Sequence, residues 1–168
     1  MNRLEGAGHD RSAPSSYAGR MLPVSSARLT DVPAETLYRL LWLRVSVFVV
    51  EQAAAYPELD GRDLEPDTEL FWIEDDRRVL ATLRLLRDAS GNARIGRVAS
   101  AADARGRGLS AQLMRAAVER AGERWPGAAI DLDAQKHLAD WYGRFGFVIS
   151  GPEFSEDDIP HVPMRRPA

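Results

Sequence analysis

The chain has 168 residues, a formal charge of −3, 45% hydrophobic residues and 28% charged ones. That is enough for one domain with a real core, with a composition ordinary for a soluble globular protein. The acidic balance argues against a general nucleic-acid binder. The lack of cysteine excludes disulfides, thiolate metal sites and a cysteine nucleophile.

The first twenty residues are rich in Gly, Ser, Ala and Arg and lack the apolar stretch of a secretory signal. They read as a flexible tail, 1–20, before a single domain over 21–168. No apolar run approaches the ~20 residues that span a bilayer, so a cytoplasmic protein with no membrane partner is expected. Residues 22–29 suit a first strand, and Asp31 or Thr30 can cap a helix beginning near Pro33. Leu37, Leu40, Leu41, Val45 and Phe48 share one face of that helix. From Glu51 to Asp76 there are ten carboxylates and one arginine, Arg62, which read as loop and short helix closing in a strand. Turn signals at Asp75-Asp76 and Ser90-Gly91-Asn92 then divide an antiparallel meander over 70–76, 78–87 and 93–100. The run 78–87 is also compatible with helix on propensity, and its length between turns decides for strand. A helix over about 107–124 buries Leu109, Leu113, Ala116, Ala117 and Ala121, and Pro126-Gly127 stops it. A strand (128–134), a helix (136–145), a strand (147–151), an acidic loop and a last strand (162–166) complete the chain. This order predicts an α/β fold of the α+β kind, a mixed sheet with helices on both faces.

One turn carries chemistry. Arg105-Gly106-Arg107-Gly108 lies between the end of a strand and the start of a helix. The first amides of a helix have no internal partner and sit at the positive end of its dipole. Glycines admit an anion to that backbone, and arginines add counter-charge and forked donors. The competing reading is an ordinary loop with solvated arginines. A P-loop is excluded because no Gly-Lys-Ser/Thr follows. The run 106–111, "GRGLSA", fits a dinucleotide fingerprint formally, with Asp131 or Asp133 ~20 residues on. However, "AADA" separates it from the preceding strand, which belongs to a meander.

The stretch 105–110 resembles the pyrophosphate loop Q/R-x-x-G-x-G/A of the GNAT (GCN5-related N-acetyltransferase) superfamily, with serine at the last position. "RVASAADARGRG" is similar to the family's central strand and its connection, and "WYGRFGF" (141–147) to its late helix and following strand. "LRVSVFVVEQ" (43–52), "DGRDL" (60–64) and "DDIPHVPM" (157–164) resemble the ElaA-like branch. The resemblance covers about residues 22–166. It implies a mixed, mostly antiparallel sheet of about seven strands, with acetyl-CoA wedged between the fourth and fifth, and no metal. Direct transfer of an acetyl group to an amine follows from it.

On this resemblance, backbone amides of Arg107, Gly108, Leu109 and Ser110 take the pyrophosphate, with Arg105 and Gly106 shaping the turn. Backbone groups of Val98, Ala99 and Ser100 take the pantetheine arm and the thioester oxygen. Tyr142 matches the tyrosine that many members use as general acid; core packing beside Trp141 and Phe145 is its other reading. The glutamate many members carry on the fourth strand is missing from "ARIGRVAS", where Arg97 stands. Glu51 is the first candidate base, before His137 and His161, since it ends an apolar helix near the expected acceptor wall. Two acidic segments, 51–69 and 153–158, should flank the acceptor, which suggests a small primary amine or a lysine-bearing peptide. Alternatives are a CoA-binding sensor without turnover and an acyltransferase like the acyl-homoserine lactone synthases, to which "LRVSVF" and "DGRD" are also similar. The oligomeric state stays open, with a homodimer one option.

Overall fold

The computed structural model describes residues 22–54 and 57–168; the tail expected over 1–20 lies outside the described residues. Among the described residues, eight strands form one sheet: β1 (Ser25–Ala27), β2 (Glu69–Glu74), β3 (Val79–Arg87), β4 (Ala93–Ser100), β5 (Ile130–Gln135), β6 (Val148–Ile149), β7 (Phe154–Glu156) and β8 (Ile159–Arg166). Their order is β1-β2-β3-β4-β5-β8-β6, with β7 also on β8. All pairings are antiparallel except β4 with β5.

Helices α1 (Ala34–Arg44), α2 (Leu109–Arg124) and α3 (Ala139–Gly143) pack on a sheet whose side chains alternate between its two faces. On β2, Leu70 and Trp72 pack with Leu40, Leu43 and Val47 of the α1 layer. Phe71 and Ile73 join Leu113, Met114, Ala117 and Ala121 of α2. Coverage on both sides explains the ambiguity of 78–87. Val79 through Leu86 are all buried, Thr82 and Arg84 included, so the strand has no solvent-facing side to give a regular polar alternation.

Several boundaries differ from expectation for physical reasons. Neither Thr30 nor Asp31 caps α1; Asp31 sits in a 3-10 turn, and Pro33 leads into the helix with no side-chain cap. The helix continues as π-helical turns over Val45–Glu51, which rotate its inward face. Buried positions are Leu40, Leu43, Arg44 and Val47, while Leu37, Leu41 and Phe48 flank them. In α2 the stripe gains Met114, and Ala116 moves to its edge. The helix expected over 136–145 is a 3-10 turn, Lys136–Leu138, followed by the short α3. The acidic loop holds a strand, β7, which forms a hairpin with β8. Its turn residues Asp157 and Asp158 have φ of 49° and 61°, the left-handed pair that a two-residue hairpin turn requires.

Candidate active site

The parallel strands β4 and β5 pair at two positions only, Ala93 with Ile130 and Arg94 with Asp131. Beyond them the strands part. A cleft of about 340 Å³ opens there, bordered by Gly96, Arg97 and Val98 of β4, Leu132 and Gln135 of β5, Tyr142 of α3 and His161 of β8. At its edge β4 carries a bulge. Thr82 pairs with Ala99 and Arg84 with Gly96, so Leu83 of β3 stands opposite both Arg97 and Val98. Arg97 takes the extra residue's strain with φ of 54°, a region costly for a side-chain-bearing residue. A bulge re-aims the backbone and interrupts pairing, here beside the cleft. Of the three β4 residues expected to serve a ligand, Val98 borders the cleft. Ala99 is buried in the α1 layer, and Ser100 lies at the strand's end.

The arginine-glycine turn follows. Gly106 and Gly108 have φ of 74° and 77°, with open space where a Cβ would stand. Helix α2 opens at Leu109 rather than near Arg107, with Gly108 as the residue before it. The amide of Gln112 is the first to reach back, to the Gly108 carbonyl at 3.1 Å. The amides of Gly108, Leu109, Ser110 and Ala111 therefore precede the first intrahelical bond. The turn is anchored at both sides. Ser100 Oγ and Ser110 Oγ share a hydrogen bond of 2.6 Å, and Arg105 donates to the Ser100 carbonyl at 3.3 Å and to Glu51 at 2.7 Å. Arg107 is exposed. Open glycine backbone, helix amides and two arginines suit a pyrophosphate.

Tyr142 belongs to the core and stands at the cleft. It packs edge-on against Trp141 and Phe147, with ring centroids 4.8 and 6.4 Å away, and it also borders the cleft. Burial pushes its hydroxyl up to about 12, so it keeps its proton throughout the neutral range. Glu51 lies at the end of the π-helical turns, where the hydrogen bond from Arg105 holds its carboxyl below the ordinary value. The structure thus brings Glu51 to the pyrophosphate-type turn rather than to Tyr142's cleft. His137 is exposed, whereas His161 is buried at the cleft.

An ionic network unseen in the sequence braces the β4 bulge. Arg44 binds Glu58 at 2.5 Å and Asp63 at 2.9 Å, and Arg84 binds Asp60 at 2.7 Å and Asp63 at 3.3 Å. Arg97 binds Glu58 at 2.8 Å and Asp60 at 3.1 Å. Burial acts to raise the Asp60 carboxyl, but hydrogen bonds from Arg84 and the Arg62 amide, with the charges of Arg84 and Arg97, hold it well below the usual carboxylate range. The signal was present in "LRVSVF" and "DGRDL", whose Arg44, Asp60 and Asp63 meet here. No local spacing links residues so far apart. The acidic segment 51–69 is accordingly matched by arginines, Asp67 and Glu69 by Arg124 and Arg120. From the other segment, Glu156 and Asp157 border the cleft at the hairpin tip.

Comparison with known proteins gives this arrangement relatives. The model of the acetyltransferase (GNAT) domain matches residues 34–167. A UPF0039 protein of Mycobacterium tuberculosis is 50% identical over 141 residues, covering 82% of this chain and 88% of that protein. The crystal structure of an acyl-CoA N-acyltransferase from Pseudomonas aeruginosa superposes with a TM-score of 0.82 at 44% identity, covering 87% of this chain and 99% of that one. Escherichia coli ElaA superposes with a TM-score of 0.82 at 33% identity over the same shares. Sheet order, opening and sequence agree: the chain belongs to the GNAT acetyltransferase family, among the relatives of ElaA, and is an acyltransferase.

Proposed function

We propose that this protein transfers an acetyl group from acetyl-CoA to a primary amine by direct attack of the amine on the thioester. The observation that carries the reading is the early parting of β4 and β5 between a glycine-rich helix start and a buried tyrosine. The pyrophosphate is taken by the amides from Arg107 to Ser110, on a turn shaped by Arg105 and Gly106. Glu51 orients Arg105 there through its ion pair, which accords with its lowered pKa. Backbone groups of Val98, Ala99 and Ser100 guide the pantetheine arm. An amide presented at the bulge serves the thioester oxygen; one preorganised donor of this kind contributes about 3 kcal/mol to the transition state. Tyr142 faces the leaving sulfur. A thiol of ordinary pKa ~8.5 is more acidic than this phenol, so Tyr142 stabilises the thiolate as a hydrogen-bond donor rather than by complete proton transfer.

The carboxylates of Glu156 and Asp157 at the cleft support an acceptor bearing positive charge, a small amine or a lysine-bearing peptide. Calorimetry with acetyl-CoA, on wild type and on Gly108→Glu, tests the cofactor half. Binding by wild type and none by the variant is expected, since glutamate adds negative charge and a side chain where φ is 77°. No binding by wild type overturns the reading. Initial rates with amines and with anionic acceptors of similar size test the other half, and equal rates would remove the amine assignment.

A further inference from the structure

His161 is the buried imidazole of the cleft. It lies on β8 between Gln135 of β5 and Phe154 of β7, and it is 9% exposed. Its ring stacks on Phe154, with centroids 5.7 Å apart and planes 25° from parallel. Its Nδ1 is 2.8 Å from the Ile159 carbonyl oxygen. A carbonyl oxygen only accepts, so in the neutral ring Nδ1 carries the hydrogen. Nε2 is then the nitrogen with the lone pair, on a ring whose orientation is set by one hydrogen bond and one stacking contact. Of the carboxylates at the cleft, Asp60 is engaged by Arg84 and Arg97 and Asp133 by Arg94, while Glu156 and Asp157 stand exposed on the hairpin rim. Glu51 is held by Arg105.

We propose that His161 Nε2 is the general base of the acyl transfer; the proposal rests on the reading of the cleft as an amine-acetylation site. The acceptor nitrogen forms the N–C bond to the thioester carbonyl carbon. Its surplus proton passes to His161 Nε2 and from there to solvent. The C–S bond breaks with its electron pair on sulfur, and the thiolate leaves against the Tyr142 hydroxyl before taking a proton from water. The charged or titratable groups that share the cleft with the ring are Asp60 and Arg62 of the 51–69 segment, Arg84 of β3, Arg94 and Arg97 of β4, Asp133 of β5, Tyr142 of α3, and Glu156 and Asp157 of the hairpin.

The test uses the full chain, acetyl-CoA and three primary-amine probes: Nα-acetyl-lysinamide, cadaverine and phenethylamine. His161→Gln and His161→Ala should lower kcat/KM for the amine about 100-fold, in the usual range for a positioned base. Calorimetric affinity for acetyl-CoA should be unchanged. The deficit should shrink as pH rises toward ~10, where the alkylamine loses its proton unaided. Added imidazole should restore part of the His161→Ala rate. Variants as active as wild type overturn the proposal, as does a deficit constant with pH and unmoved by imidazole, which would mark a packing role. Failure of wild type to acetylate any probe while binding acetyl-CoA overturns the amine reading and this proposal with it.

Discussion

Tyr142 illustrates how one side chain serves both core and site. Its ring is part of the α2-side core, and the residue also borders the cleft. Tyr142→Phe keeps the ring contacts and removes only the donor. The expected result is a kcat lower by about 100-fold, with acetyl-CoA affinity and melting temperature close to wild type. A kcat unchanged in the variant would confine Tyr142 to packing. Because burial pushes the hydroxyl up to about 12, the wild-type rate should show no loss from tyrosine ionisation up to pH 10. Gly108 matters for a different reason. Its φ of 77° and open surroundings make charge and backbone conformation, rather than crowding, the source of the Gly108→Glu defect.

The β4 bulge is a property of a strand and of what braces it. Arg97 occupies a left-handed conformation that glycine adopts without cost and a β-branched residue resists, by about 1–3 kcal/mol. Arg97→Gly should therefore keep the bulge and most of the rate, although it leaves Glu58 and Asp60 with one ion-pair partner fewer. Arg97→Val should lose the rate more deeply, because its backbone draws the strand toward regular pairing. Steady-state kcat for acetyl transfer in the two variants checks the order. Equal values would separate the rate from the bulge conformation. The strand over 93–100 is legible in "ARIGRVAS", but its bulge is not: register and bulge are set by the pairing of Thr82 and Arg84 across the sheet, which no run of residues in β4 encodes.

For the molecule as a whole, the balanced network of Arg44, Arg84, Arg97, Glu58, Asp60 and Asp63 ties α1 and the 51–69 segment to β3 and β4. The Asp60 carboxyl is depressed in the folded state. Its contribution is therefore fully present above the unfolded pKa of ~3.9 and is lost as pH falls through the folded value. Asp60→Asn should lower the urea midpoint at pH 7, and the gap from wild type should close progressively below pH ~4. A gap that widens on acidification would contradict the ion-pair account. Ligand binding acts on the same global equilibrium. Acetyl-CoA at 100 times its Kd should add about 2.7 kcal/mol of stability, a rise of roughly 5–10 °C in Tm for a chain of this size. Gly108→Glu should show no such rise.

The meander and α2 were legible in the residues themselves, because hydrophobic period and turn chemistry are local. So was the arginine-glycine turn: its glycines stand within four residues of one another, and a helix start needs no distant partner. The resemblance in 105–110 and 141–147 carried the family, which the comparisons bear out. Chain order alone could not place Glu51 against Arg105, reveal β7 within an acidic run, or tell an exposed His137 from a buried His161. Nor could it show that most acidic residues of 51–69 face arginines instead of a substrate. Most of those outcomes depend on partners distant in the chain, such as Glu51 with Arg105 or Asp60 with Arg84, brought together by sheet order and by the charge balance that burial demands. The tertiary structure decided them because a charge or an imidazole takes its chemistry from the groups around it, and those neighbours exist only once the strands have assembled.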